Sequence, residues 1–203
     1  MTLLSPLPAR FLGAWERFGL TVDGDPVTDA GRAVWVEAGA AYVDVRGAGG
    51  FASDTCFAGT TSWNAPCLTW RHEIDAHPGE GGVDVGHITF DGDDLIEQGD
   101  FIAGKQVPYR ERWRRLGGPL GPVLAADTAD GAGLSVRVGN HAATVVDRTP
   151  AGGTLSARYQ MWTGRRWVTE VAVGDGDDVG VLPGPLDSDA PLPPSWRWRY
   201  PLA

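Results

Sequence analysis

The stretch Thr69-Trp70-Arg71-His72-Glu73-Ile74-Asp75, read together with Tyr109-Arg110-Glu111-Arg112-Trp113, decides the fold. Both stretches alternate. In an extended strand, successive side chains point to opposite faces. Leu68, Trp70, His72 and Ile74 therefore share one face of the first strand, and Thr69, Arg71, Glu73 and Asp75 share the other. In the second strand Val107, Tyr109, Glu111 and Trp113 stand opposite Pro108, Arg110, Arg112 and Arg114. The aromatic faces are expected to turn inward, which carries a histidine and a glutamate into an aromatic-lined interior. Burying such groups is costly unless they are paired or used. His72 and Glu111 are thus the candidate catalytic acid/base pair, with Trp70, Tyr109, Trp113, Tyr42 and Glu97 as candidate ligand contacts.

Similar segments recur along the chain. Strands are expected over Leu12–Val22, Ala33–Ala38, Ala41–Arg46, Thr55–Thr61, Leu68–Asp75, Gly86–Phe90 and Asp94–Glu97. Further ones are expected over Val107–Leu116, Ser135–Val138, Ala142–Asp147, Leu155–Trp162, Arg166–Val173 and Trp196–Tyr200. Turn residues such as Asp23–Gly24, Asp91–Gly92 and Gly152–Gly153 separate them. Short, evenly spaced strands with turn punctuation indicate an all-β, antiparallel barrel or pair of half-barrels. The 203 residues are read as one unit, with a possible seam at 117–122, where glycine and proline cluster. Residues 174–194, rich in Asp, Gly and Pro, read as a long loop before a final strand.

Composition narrows the function. The formal charge of −9 repels phosphate backbones, so nucleic acid is not an expected partner. Arg110, Arg112, Arg114 and Arg115 cluster, and read as a solvated outer face. The start of the chain lacks the basic-then-apolar order of a leader, and no run approaches a membrane span. A cytoplasmic protein without membrane attachment is expected. Cys56 and Cys67 are the only cysteines, and in that compartment are expected as buried thiols. His72 and His77 are five apart, whereas the zincin helix needs four, so no zinc site is expected. Asp91-Gly92-Asp93-Asp94 and Asp175-Gly176-Asp177-Asp178 lack calcium-loop spacing. Neither metal nor cofactor is expected.

Two resemblances add to this reading. Gly13-Ala14-Trp15 resembles the G-x-W that opens lipocalin and related calycin barrels. There the tryptophan closes one barrel end and an arginine from the last strand lies over its ring. The resemblance implies that role for Trp15 with Arg197 or Arg199. Second, Cys56-Phe57-Ala58-Gly59-Thr60, Thr69-Trp70, Glu97-x-Gly99 and Tyr109-Arg110-Glu111-x-Trp113 occur in order. The set resembles the lipocalin-like Hri family, named for a fungal protein that interacts with a casein kinase homologue. It implies a calycin-like barrel. The family brings no established activity, so Phe57, Gly59, Trp70, Glu97, Gly99, Glu111 and Trp113 carry over as signature positions only.

Three functions fit. The first is binding of a small apolar or aromatic molecule inside the barrel, for which the nine tryptophans argue. The second is isomerisation, cyclisation or dehydration of such a molecule, with His72 and Glu111 moving protons. The third is a scaffold for a protein partner, which rests on the family's namesake.

Overall fold

The computed structural model describes residues 7–51, 55–77, 82–174, 186, 187, 189 and 191–199. The N-terminal half contains strands β1 (Gly13–Val22), β2 (Asp25–Pro26), β3 (Ala33–Ala38), β4 (Ala41–Arg46) and β5 (Thr55–Asn64). It continues with β6 (Cys67–Asp75), β7 (Val83–Asp91), β8 (Asp94–Ile102) and β9 (Lys105–Arg115). Apart from the two-residue β2, each pairs with the next in antiparallel order, and β9 returns to pair with β1. The result is a closed, eight-stranded antiparallel barrel of calycin type. Closure leaves no unpaired edge.

After residues 117–122 the chain builds a second sheet. Its strands are β10 (Val123–Thr128), β11 (Gly133–Val138), β12 (His141–Asp147), β13 (Leu155–Trp162), β14 (Trp167–Val173) and β15 (Trp196–Trp198). Their order is β14-β13-β12-β11-β10-β15. This sheet lies against the outside of β3 and β4. Val34, Val36, Val43 and Val45 face outward from the barrel and pack with Leu134, Val136, Val145 and Tyr159. The inner faces of the same two strands supply Trp35 and Tyr42 to the barrel interior. β3 and β4 are therefore buried on both sides, which is why they read as near-continuous apolar runs.

One barrel end is sealed. A short 3-10 turn, Ala9–Phe11, plugs it, and Phe11 lies against Trp63 and Phe90. Trp15 is fully buried and donates from Nε1 to the Phe11 carbonyl at 2.9 Å. The arginine over its ring is Arg115, at 4.2 Å, in place of Arg197 or Arg199. The reason is topological. The barrel's last strand is β9, whereas β15 pairs with β10 in the second sheet. Arg115 also donates to the Leu12 and Arg10 carbonyls, so it leaves the outer arginine face expected for it. Arg112 and Arg114 do stay outside, stacked on Phe18.

Two elements escape the alternation reading. β10 was not expected, because Leu124, Ala125 and Ala126 are all buried and leave no polar phase. β2 is only two residues long. Residues 175–185, most of the long loop expected before the last strand, lie outside the described residues. Among the described residues no helix is long and apolar enough to cross a membrane.

Candidate functional site

The barrel interior has two halves. Toward the sealed end, Trp15, Trp35, Trp70 and Trp113 interlock, with ring centroids 5.7–6.2 Å apart. Toward the other end the inward positions turn polar. Tyr42, Asp44 and Arg46 alternate inward along β4, and Tyr109 and Glu111 do so along β9. Here a cavity of about 330 Å³ opens, lined by Arg46, Phe57, His72, Asp75, Asp84, Glu97, Phe101, Tyr109 and Glu111.

A β-bulge shapes one wall. β6 keeps the expected phase through Trp70 and His72, but its register on β5 then slips, so that Gly59 faces His72 while Ala58 faces Ile74. Glu73 is the extra residue, and beyond it the phase inverts. Ile74 points outward into the core between the sheets, and Asp75 turns inward beside Phe57, both opposite to expectation. Gly59 permits the bulge, because a Cβ there would stand 2.0 Å from the Arg71 carbonyl oxygen. The inversion brings Asp75 Oδ2 to 2.6 Å from His72 Nδ1, and Asp84 Oδ2 lies 3.2 Å from Nε2. Burial lowers the histidine's affinity for its proton, but the two carboxylates outweigh it and raise the pKa to about 9. His72 stacks on Phe57 at 4.6 Å.

The opposite wall holds two glutamates. Glu97 on β8 faces Glu111 on β9 in register. Glu111 Oε1 is 2.6 Å from Arg17 and 3.7 Å from Arg46. Arg46 in turn grips Asp44 through two hydrogen bonds of 3.1 Å. Glu97 accepts a 2.6 Å hydrogen bond from the Tyr109 hydroxyl. Burial, then the charge of Glu111, pushes Glu97 up to about 8. Two glycines make room for this pair. A Cβ at Gly99 would meet the Tyr109 ring at 2.5 Å, and one at Gly86 would meet Glu97 at 2.7 Å.

His72 and Glu111 thus line one chamber, as the phase argument expects, but each is committed to other partners. Glu97 and Tyr109 line it as well. Trp70 and Trp113 lie beneath it, around a void of about 20 Å³. Tyr42 is fully buried and lines neither space. Sequence reasoning passed over Arg17, Asp75 and Asp84. Arg17 shares the inward phase of Trp15, two residues before it, a signal that went unused; the β6 bulge conceals Asp75, and β7 begins earlier than expected, at Val83. Among the described residues no group of three or more His, Cys, Asp or Glu side chains is arranged to hold a metal ion.

No curated protein and no solved structure matches the chain. The family model described as Protein HRI1 matches residues 17–191, from Arg17 of β1 across the whole barrel and the second sheet through β14, and the chain belongs to that family.

Proposed function

We propose that this protein binds a small, partly aromatic molecule in the chamber at the open end of its barrel. The observation that carries the reading is the 330 Å³ cavity itself. It falls at the lower end of the range for small-molecule sites, roughly 300–1,000 Å³. The tryptophans fill the other half of the barrel with the protein's own side chains, so the apolar volume is already taken. Phe57, Phe101 and Tyr109 offer aromatic surface within the chamber, beside convergent polar groups. That combination favours an aromatic molecule with polar substituents over a wholly apolar one. A cytoplasmic setting is supported by Cys56 and Cys67, which both stand as free thiols.

The test is a thermal-shift screen of aromatic fragments against the wild type and Thr55→Trp, which places an indole at the chamber wall. Fragments that raise the melting temperature of the wild type only support the reading. It fails if no fragment acts, or if both proteins respond alike.

A second reading is acid–base catalysis on the bound molecule. It is favoured by the contrast between Glu97, which holds its proton, and the ion-paired Glu111 on the neighbouring strand. A carboxyl group pushed up by burial beside a salt-bridged one is a pattern of acid/base sites. Here Glu97 replaces His72 as the proton donor, because His72 is engaged by Asp75 and Asp84. Fragment turnover that stops in Glu97→Gln while binding persists would move the conclusion to this reading.

A further inference from the structure

We propose that the chamber takes an organic cation, an aromatic molecule carrying a protonated amine, with the ammonium group against Glu97 and Glu111. The inference rests on the reading of the chamber as a small-molecule site and adds the charge of its ligand.

The argument begins with which carboxyl groups have cations. Among the described residues the cationic side chains that serve the chamber interior are Arg17, Arg46 and His72. Five carboxyl groups face them: Asp44, Asp75, Asp84, Glu97 and Glu111. His72 is shared by Asp75 and Asp84, Arg46 is gripped by Asp44, and Arg17 holds Glu111. Among the described residues Glu97 has no ion pair, and its hydrogen bond comes to Oε1 from Tyr109. Yet Glu97 is only 7% exposed and lines the cavity. A buried carboxyl without a cation is costly as the anion and so keeps its proton.

The groups facing Glu97 are Glu111 and Tyr109 on β9, Asp84 on β7 and, from across the barrel, Arg46 on β4. Two of the four are acids, one is a neutral phenol, and the sole cation is already engaged by Asp44. His77 stands at the mouth, bonded to Thr55. A ligand ammonium beside Glu97 would supply the missing partner. Glu97 would then release its proton to solvent and bind the cation as a carboxylate, in a charge-assisted hydrogen bond. The aromatic lining points to an organic cation, whose ring packs on Phe57, Phe101 and Tyr109. An anion would meet four lining carboxyl groups: Asp75, Asp84, Glu97 and Glu111.

Three shape-matched probes test this by calorimetry on the full chain: phenethylamine, phenethyl alcohol and hydrocinnamate. The amine should bind about tenfold more tightly than the alcohol, and hydrocinnamate least. Repeating the titration in buffers of different ionisation enthalpy should show proton release on amine binding near neutral pH. Glu97→Gln keeps the Tyr109 hydrogen bond. It should abolish both the amine preference and the proton release while still binding the alcohol, and Glu97→Asp should restore the preference in part. If the alcohol or hydrocinnamate binds as tightly as the amine, or Glu97→Gln keeps the preference, the cation inference is overturned and the small-molecule reading stands. If none of the three binds, the cation inference is overturned, and the small-molecule reading is decided by the fragment screen.

Discussion

Glu97 and Glu111 face each other across β8 and β9, yet only Glu111 has an arginine, at 2.6 Å, while Glu97 has the hydroxyl of Tyr109. Two like groups in register would ordinarily repel, and the protein resolves the conflict by leaving one of them protonated. The unequal pair is the chemical centre of the chamber.

Stability should fall as pH rises through neutrality. Glu97 binds its proton more tightly folded than unfolded, so its contribution is full below its ordinary value of 4.5 and is lost by about pH 8. His72 acts in the same direction, with a contribution full below 6.5 and lost as pH passes about 9. Both effects overlap between pH 6.5 and about 8. Urea unfolding across this range should show a declining free energy. Glu97→Gln should flatten the lower part of the decline and His72→Gln the upper part. A curve that is level or rises with pH would contradict both assignments.

Gly99→Ala should damage the chamber more than the fold. The new methyl group would collide with the Tyr109 ring and force it off Glu97. Probe binding should weaken about tenfold, with a stability loss of about 1–3 kcal/mol for overpacking. Unchanged binding would show that Tyr109 is not part of the site.

The sealed end can be tested through its arginine. Trp15→Ala should cost about 3–5 kcal/mol, as expected for a core aromatic. Arg115→Ala should cost about 2 kcal/mol, since it removes a ring contact and two carbonyl partners. Arg197→Ala, in an exposed pair with Asp127, should stay within about 0.5 kcal/mol. Equal losses at Arg115 and Arg197 in denaturant titrations would undo the assignment of β9 as the closing strand.

The thiols should separate by accessibility. Unfolded protein prepared without reductant should titrate as two free thiols. In the native state the partly exposed Cys67 should react first. Cys56 is fully buried, and burial pushes its thiol pKa up, so it should react only on unfolding. Simultaneous native reaction of both would mean that the core between the sheets is open at β5.

Much of this was legible where one face of a strand is wet. Leu68, Trp70 and His72, or Tyr109, Glu111 and Trp113, declare their inward phase because Arg71, Arg110 and Arg112 stand between them. The signal fades where both faces are dry, as in β10. It inverts where a backbone slips, as at Glu73, because a period of two carries no record of an inserted residue. Asp75 lies beyond such a slip, so the partner of His72 could not be read from spacing, whereas Arg17, the partner of Glu111, precedes the slip in β1 and keeps the phase of Trp15. Barrel closure is likewise a long-range pairing, between β1 and β9, with no local mark in either strand.

The second sheet also gives the barrel a stiff back and a compliant front. Bending β3 or β4 would open two cores together, one on each side. β7 carries no such double cost, since Val83, Val85, His87 and Thr89 lie in water on its outer face. Local opening follows the side with fewer buried contacts. Widening of the chamber mouth therefore falls to β7, β8 and the turn at Ala103–Gly104, while Arg46 and Asp44 stay fixed on the back wall. A guest would be admitted by the front of the cup and oriented by its back.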